Sequence, residues 1–275
     1  MHKNKSNLKI YCISHEYIKE LDKLNLNTIG SGAYKQKFPK NWLKDSTGRN
    51  NISRKNFNYG TLTSIYWIWK NHIKNLRQND YIGICHYRRF WLKKNHDKKI
   101  NLGNLKKNLL LNIPNKYKNF EAFICSPQSL KGYKLSKLIK KGKRSILKDP
   151  RIIFDKKKHT IDLHFNIFHL YKGLENSIKF LNDNDKEDFL KYVKSKTEFF
   201  PLSIFILKKK HFSKLCLSTF SWLKKCEKIF DKNKLKGYGE IRIFDFLAER
   251  YFSFWISKYC KYKIWPYCLI DTRKK

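Results

Sequence analysis

The sequence predicts an α/β protein built on a mostly parallel β-sheet that is flanked by helices. Two short apolar runs, LKIYCIS at 8–14 and YIGIC at 81–85, have the length and composition of buried strands. Between them lies TLTSIYWIWKNHIKNL at 61–76, whose apolar residues recur at the spacing of one helical face. The order strand, loop, helix, strand is typical of parallel sheets.

The rest of the chain continues this alternation of apolar runs and helical periodicity. EAFICSP ends at a proline, as a strand often does, and FFPLSIFIL is a further apolar run. The remaining predicted elements are strands at 121–127 and 199–207 and helices around 161–181, 208–230 and 239–256.

The domain organisation follows from the absence of any repeat or low-complexity linker in the sequence. We therefore expect a single domain over residues 1–275, with a nucleotide-side half at about 1–120 and an acceptor-side half at about 121–275. The stretch 131–151 is crowded with lysine, which predicts an exposed and mobile region.

The net charge is +39, from 61 basic and 22 acidic residues. Such a surplus suits a polyanionic partner: nucleic acid, an anionic membrane or a phosphorylated substrate. Most of the basic residues are lysines, and the chain is also rich in Asn and Ile, as the surfaces of proteins from AT-rich genomes are. The few arginines are therefore more informative than the lysines. An aromatic content of 16% excludes a disordered protein.

The seven cysteines are odd in number and form no C-x-x-C pair, which argues against a disulfide framework and a zinc site. The sequence has no apolar run near the roughly 20 residues that span a bilayer. Its first residues are basic but lack the apolar core of a signal peptide. We expect a protein of the reducing cytoplasm.

The strand YIGIC runs directly into four polar or charged residues, His86, Tyr87, Arg88 and Arg89. Ligands of open α/β sheets bind at the carboxyl ends of the strands. Two adjacent guanidinium groups suit a diphosphate, because each can donate two hydrogen bonds to phosphate oxygens. The alternative is a pair of surface arginines in ordinary ion pairs.

Four segments, DSTGRNNIS, LTSIYWIWKN, DYIGICHYRRF and FDFLAERYFSFWI, resemble in this order a bacterial family of capsular and exopolysaccharide gene clusters. That family was long classed as a domain of unknown function and is now regarded as glycosyltransferases. The resemblance implies a GT-A-like, Rossmann-type fold. It implies inverting transfer of a hexosyl group, of which galactofuranosyl is one candidate, from a nucleotide donor such as a UDP-sugar. The implied acceptor is a lipid-linked saccharide of capsule, exopolysaccharide or O-antigen synthesis.

Many GT-A enzymes hold a divalent metal on an Asp-x-Asp motif at the end of a mid-sheet strand. This sequence has His86, Arg88 and Arg89 at that place and no carboxylate pair. We therefore expect fixed positive charge to neutralise the leaving diphosphate. We assign no metal ligand and no other cofactor, and Mn²⁺ or Mg²⁺ stays an alternative.

Inverting transfer needs a base that takes the proton of the acceptor hydroxyl. Glu249 and Asp245 are four residues apart and share a helical face. Glu249 fits the family pattern and is the first candidate, whereas the family usually has glycine where Asp245 stands. Arg250 is predicted to orient the acceptor or the base. The alternative is a structural pair of Glu249 with Arg250 or with Arg242.

The segment DSTGRNNIS is predicted to wrap the nucleotide. Gly48 would allow close backbone approach, and Asn50 or Asn51 would read the base or the ribose. Asn56 and Tyr59 belong to the same predicted donor loop. An ordinary polar turn has the same composition, so the resemblance carries this assignment.

The predicted acceptor side includes Trp91, which follows the arginine pair, and Ser203. Ser203 begins a dipeptide where the family often has Asn-Met, and Thr61 stands where it tends to have Glu. His164 and His169 are five apart, a poor spacing for a metal, and are interpreted as structural or acceptor-side polar residues.

The lysines of 131–148 are predicted to hold the protein on the anionic inner face of the cell membrane, as a peripheral protein of the cytoplasmic side. Two alternatives remain. One is a basic nucleic-acid-binding protein, although the sequence has no zinc-finger spacing, RNP-like segment or helix-turn-helix. The other is a catalytically inactive relative that binds nucleotide sugars.

Overall fold

The computed structural model of the protein describes residues 7–95, 100–132, 135–231 and 233–273. The chain divides into two units by its internal contacts. Unit 1 comprises Met1–Ser126, Leu202–Leu217 and Ile256–Lys275, and unit 2 comprises Pro127–Pro201 and Ser218–Trp255.

The elements are named in chain order. The strands are β1 (Leu8–Ser14), β2 (Asn27–Gly30), β3 (Leu43–Lys44), β4 (Tyr81–His86), β5 (Arg89–Trp91), β6 (Ala122–Ile124), β7 (Gln128–Ser129), β8 (Glu198–Phe199), β9 (Phe205–Lys208), β10 (Tyr262–Ile264) and β11 (Tyr267–Leu269). The α-helices are α1 (Asn56–Tyr59), α2 (Leu62–Trp67), α3 (Leu102–Asn108), α4 (Leu135–Lys141), α5 (Lys143–Lys148), α6 (Ile161–Phe168), α7 (Gly173–Ile178), α8 (Asp183–Ser195), α9 (Lys209–Cys226), α10 (Gly237–Ile241) and α11 (Ile243–Tyr259). Short 3₁₀ turns lie at Lys19–Lys23, Ser53–Lys55, Asn115–Tyr117, Pro150–Ile153 and Lys156–Lys158.

Unit 1 is built on a sheet whose strand order is β10-β6-β9-β4-β1-β2-β3, with β5 paired to β4 and β11 to β5. β1 is parallel to both β2 and β4, and β2 is parallel to β3. β9 is antiparallel to its neighbours β4 and β6. The predicted fold class, a mostly parallel sheet flanked by helices, is confirmed. β1 and β4 hold runs of five consecutive buried residues, as expected of strands covered on both faces.

The predicted helix at 61–76 forms in a modified shape. After α2 the chain widens into a π-helical turn at Ile68–His72. A π turn adds a residue to the helical repeat, so the buried face shifts. Within the turn, Ile68 is fully buried and Trp69, which the regular spacing places on the buried face, is half-buried. Tyr66, which precedes the turn, is also half-buried.

Unit 2 is mainly helical and has one small antiparallel pair, β7 with β8. The predicted helix at 161–181 is two helices, α6 and α7, because Lys172 takes a left-handed conformation with φ 58° between them. The stretch 131–151, predicted to be mobile, contains α4 and α5 in its described part. Elsewhere in unit 2, the ring of Phe189 of α8 packs against two rings of α11, with centroids 5.5 Å from Tyr251 and 5.0 Å from Phe254.

Candidate functional site

The order of the strands reverses at one place in unit 1. From β1 the chain proceeds to β2 and β3 on one side, and it then returns to β4 on the other side of β1. Ligands of doubly wound sheets bind outside the carboxyl ends of two strands related in this way. Ile13 of β1 pairs with His86 of β4 in register, so both strands end together.

The polar residues that follow β4 form a tight hairpin. His86 pairs with Arg89 across the β4–β5 ladder, and Tyr87 and Arg88 make the turn. The Tyr87 amide donates to the Ile13 carbonyl at 3.1 Å. Thr272 Oγ1 donates to the Tyr87 carbonyl at 2.9 Å, and the Ile270 amide donates to the Arg88 carbonyl, also at 2.9 Å. The backbone of the turn is thus held by two separate segments of unit 1.

Two side chains of this hairpin each contain a buried polar atom that makes no described hydrogen bond. His86 Nε2 and Arg88 Nε have no hydrogen-bond partner among the residues that the structure describes. Burial, with the charges of Arg89 and His15 nearby, lowers the pKa of His86 to about 3, so the imidazole is neutral near pH 7. Buried polar groups are nearly always hydrogen-bonded in folded proteins, so these atoms lack a partner that a ligand could supply.

Residues that follow β1 and the last residues of the chain extend the same cluster. His15 packs edge-on against Tyr87 with ring centroids 4.9 Å apart, and the Arg88 guanidinium lies 5.4 Å from the same ring. Glu16 Oε1 lies 3.8 Å from His15 Nε2 and 3.8 Å from Arg273 Nη1, the distance of weak ion pairs. Arg273 also pairs with Asp271 at 3.6 Å. The three arginines Arg88, Arg89 and Arg273 thus outnumber the carboxylates of Glu16 and Asp271, which favours binding of an anion.

The segment DSTGRNNIS has a structural function that sequence reasoning missed. Its Asp45 is completely buried. It accepts hydrogen bonds from the backbone amides of Gly32 and Ala33 at 2.8 and 2.9 Å. It also accepts from Ser53 Oγ at 2.6 Å and Thr63 Oγ1 at 2.5 Å. One carboxylate therefore fastens the end of β2, the polar loop and the start of α2 together.

Asn51 and Gly48, two of the predicted donor-loop residues, form part of the polar turn that follows Asp45. Asn51 Nδ2 donates to the Gly48 carbonyl at 2.6 Å, and Asn51 Oδ1 accepts from the Ser53 amide at 3.2 Å. Gly48 has φ +72°, a conformation that strains other residues. Asn50 is exposed, and its carbonyl accepts from Asn71 Nδ2 at 2.8 Å. Asn51 shapes the loop, and Asn50 and Gly48 are accessible; their contact with a nucleotide stays a prediction.

Asn56 and Tyr59 lie deeper in unit 1. Asn56 Nδ2 donates to Ser31 Oγ at 2.9 Å, to the Gly60 carbonyl at 2.8 Å and to Thr63 Oγ1 at 3.0 Å. Tyr59 is 3% exposed. Asn56 thereby extends the Asp45 network, and contact of either residue with a nucleotide stays a prediction.

Trp91 and Ser203, predicted on the acceptor side, are both buried in unit 1. Trp91 is 1% exposed and donates from Nε1 to the Ile84 carbonyl at 3.0 Å, so it anchors β5 to β4. Ser203, with φ 50°, follows Leu202, with φ 80°. Two successive left-handed non-glycine residues are a strained backbone, of the kind that clusters at functional sites. The acceptor role of both residues stays a prediction.

The predicted catalytic helix places Glu249 and Arg250 in a buried cluster within unit 2. Arg250 is 1% exposed, and its Nη1 pairs with the Glu249 carboxylate and donates to the Phe246 carbonyl at 3.3 Å. Its Nη2 lies 3.1 Å from both His164 Nδ1 and His169 Nε2. The structural alternative, a Glu249–Arg250 pair, is therefore present, with two histidines added to it.

The hydrogen bonds of this cluster define the histidine protonation. His169 Nδ1 lies 3.2 Å from the Gly239 carbonyl, which only accepts, so Nδ1 carries the proton and Nε2 accepts from Arg250. Burial and the adjacent Arg250 charge lower the pKa of His164 to about 3 and that of His169 to about 2. Both rings are neutral acceptors for the guanidinium. Asp245, the second catalytic candidate, instead lies 4.0 Å from Arg242 Nη1.

A family model described as a domain of unknown function, DUF4422, matches residues 9–260. The chain belongs to the DUF4422 family. Among solved structures, the apo structure of the bifunctional glycosyltransferase WbbM is similar, with a TM-score of 0.71 and 18% identity over 97% of this chain. The DUF4422 chain spans about half of that protein, 46% of its length. No curated protein matches the sequence.

At this identity the similarity to WbbM shows a shared fold, in agreement with the predicted GT-A-like α/β class. Within the described parts of the DUF4422 chain, no group of three or more His, Cys, Asp or Glu side chains could hold a metal ion. No helix built from those residues is long and apolar enough to cross a membrane.

The sequence contained a signal for some of the residues that its interpretation missed. His15 and Glu16 directly follow β1, as His86 directly ends β4, so the rule that directs attention to strand ends applies to them equally. Arg273 had no such signal, because it reaches the cluster only through the pairing of β11 with β5.

Proposed function

We propose that this DUF4422 chain is a glycosyltransferase whose His86–Arg89 hairpin binds the diphosphate of a nucleotide sugar. The hairpin carries the proposal, because it places positive charge and buried polar atoms without a described partner at the point in unit 1 where the strand order reverses. The fold shared with the glycosyltransferase WbbM supports it.

The chemistry of glycosyl transfer explains why such charge is useful. As the bond between the sugar and the diphosphate breaks, negative charge grows on the leaving oxygen. Guanidinium groups fixed in advance stabilise that charge without reorganisation. Arg88 and Arg89 would contact the phosphates, and the neutral His86 could donate or accept one further hydrogen bond. We propose a UDP-linked hexosyl donor and no required metal, with Mn²⁺ or Mg²⁺ as the competing mechanism.

For the base, Glu249 stays the first candidate and Asp245 the second. Arg250 is a positioning residue in this proposal, since it holds the Glu249 carboxylate while its other nitrogen is held by two histidines. A carboxylate with a single orientation suits proton removal from an acceptor hydroxyl during inverting transfer. We further propose a lipid-linked saccharide acceptor at the inner face of the cell membrane.

Donor binding is tested by isothermal titration of UDP and UDP-sugars, with EDTA or with Mn²⁺. Arg88→Gln should weaken UDP binding by about 10- to 100-fold, the value of one charge-assisted contact. Arg144→Gln, at an exposed arginine of α5 outside the hairpin and the predicted donor loop, is the control and should bind as the parent does. Binding that needs Mn²⁺ would refute the metal-free mechanism, and no binding of any nucleotide would refute the proposed function.

The base is tested separately from donor binding. Glu249→Gln keeps the shape of the side chain and removes its basicity, so turnover should fall while UDP affinity stays unchanged. Asp245→Asn is the comparison and should retain most activity. A Glu249→Gln enzyme with parental turnover, or a larger loss for Asp245→Asn, would assign the base to another residue.

A further inference from the structure

Three large apolar side chains of unit 2 point into solvent from one short stretch of chain. Leu147 of α5 and Phe154, just after the Pro150–Ile153 turn, are each 84% exposed, and Ile139 of α4 is 48% exposed. Apolar residues exposed singly are normal, so the informative feature is that a leucine and a phenylalanine are both mostly exposed within eight residues of one another. We call these three residues, with the exposed basic residues between 140 and 157, the basic face.

The inner side of the same stretch has its own buried apolar cluster. Leu138 and Ile152 pack with Leu163 and Ile167 of α6 in one buried cluster. Leu147 and Phe154 are outside this cluster. The apolar groups of the stretch are thus divided between a core-facing set and a solvent-facing set.

The charge around the exposed apolar residues is strongly positive. Residues 138–158 contain nine basic and two acidic residues. Both acidic residues are occupied locally: Asp149 pairs with Arg151 at 2.8 Å and with Lys158 at 2.7 Å, and Asp155 caps the Lys157 amide at 2.8 Å. Most of the other basic side chains of the stretch are exposed.

We propose that the basic face docks on an anionic lipid bilayer. Leu147 and Phe154 enter the boundary between headgroups and acyl chains, and the surrounding lysines contact lipid phosphates. Stable peripheral binding needs two such signals together, because either alone is weak. A general lysine surplus explains the charge but not the two apolar side chains in solvent. The proposal deepens the proposed function by specifying which surface faces the membrane.

The apolar signal is tested by sedimentation of the full chain with phosphatidylcholine vesicles, with and without phosphatidylglycerol. The variant Leu147→Ser/Phe154→Ser should bind the anionic vesicles about tenfold or more weakly. The control Leu217→Ser/Leu269→Ser changes leucines of unit 1 that are 57% and 66% exposed, and it should bind as the parent does. Equal vesicle binding by the parent and the Leu147/Phe154 variant would overturn the proposal.

The charge signal is tested by two variants of equal net charge. Replacing Lys143, Lys156 and Lys157 with Gln should weaken vesicle binding by about 100-fold. Replacing the α9 lysines Lys224 and Lys225 together with Lys228 should weaken it much less. Equal losses would mean attraction by net charge alone and would overturn the proposal. So would a loss of RNA binding, in place of vesicle binding, by the first variant.

Failure of this proposal can be told apart from failure of the proposed function. Vesicle binding is measured without nucleotide, and UDP titration is repeated on the same variants. UDP binding with no vesicle binding would overturn the docking surface and leave the donor site intact. Vesicle binding that depends on Leu147 and Phe154, in a chain that binds no nucleotide, would support docking and refute the glycosyltransferase.

Discussion

Two buried neutral histidines should make the protein unusually sensitive to acid. The pKa of His164 is about 3 and that of His169 about 2 in the folded chain, against about 6.5 in an unfolded one. Below pH 6.5 the unfolded chain therefore binds more protons, and the free energy of unfolding falls as the pH drops toward the folded values. From pH 7 to pH 5 the linkage relation gives a loss of about 2 kcal/mol for each histidine.

The matching double variant keeps the two acceptors of Arg250 and removes the titration. It gives up the hydrogen bond from His169 Nδ1 to the Gly239 carbonyl, a loss that lowers the free energy of unfolding about equally across this pH range and so leaves the pH slope unaffected. His164→Asn places an amide oxygen near the position of Nδ1, and His169→Gln places one near the position of Nε2, so Arg250 keeps its two acceptors. Between pH 7 and pH 5 the parent should lose about 4 kcal/mol more than the double variant. Each single variant should remove about half of that difference.

The measurement is urea unfolding followed by circular dichroism at several pH values between 5 and 7. Other groups contribute to acid sensitivity in parent and variant alike, so the difference between their slopes isolates the two histidines. Identical slopes would refute the reasoning, because they would mean that neither ring stays neutral in the folded chain. A steeper slope for the double variant would contradict the sign of the linkage.

Two further predictions concern the sheet of unit 1. Asp45→Asn should lower the free energy of unfolding by about 2–4 kcal/mol, because an amide cannot accept from four donors, while the half-exposed Asp231→Asn should change it by less than about 0.5 kcal/mol in the same urea assay. Gly83→Ala should cost about 1–3 kcal/mol, since its Cβ would lie 2.9 Å from Ile10 Cγ1. Gly103→Ala, in the exposed first turn of α3, should instead stabilise by about 0.5–1 kcal/mol. Equal signs for the two glycine variants would contradict the packing argument.

The central strands could be predicted from the sequence nearly to the residue. β1 has the predicted bounds and β4 ends one residue later, because a buried strand is a continuous apolar run with polar residues at each end. β5 and β11 could not be found in this way. Each has three residues, and the turn before β5 lacks the Gly, Asn or Asp that usually indicates a hairpin.

Two departures from the predicted helices have no counterpart in the sequence pattern. The break between α6 and α7 occurs at Lys172, a residue type that gives no warning of a left-handed conformation. The π turn after α2 is equally invisible, since the apolar spacing of the segment fits a regular helix well. At Lys172 the sequence pattern also does not predict the local contact, in which the Lys172 amide donates to Asn166 Oδ1 at 2.6 Å.

Site residues could be predicted where charged side chains directly follow an apolar strand. They could not be predicted where a side chain hydrogen-bonds to backbone amides of another loop. The His86–Arg89 segment stands out because charge directly follows an apolar run. Asp45 does not stand out, because its partners Gly32 and Ala33 lie 13 and 12 residues earlier in another loop. An acidic residue at the start of a polar segment is typical of any turn.

The hydrogen bonds of the buried polar groups indicate which of them have a structural role and which lie at the proposed ligand site. Asp45 satisfies four donors within unit 1, so folding alone accounts for its burial. His86 Nε2 and Arg88 Nε belong to a small set of buried polar atoms without a described partner, and these two lie at the place where this class of sheet binds ligands. Their position, rather than their burial alone, points to a ligand. An anion that accepts from these atoms would bind only the folded chain, and at about 100 times its dissociation constant it should raise the free energy of unfolding by about 2.7 kcal/mol.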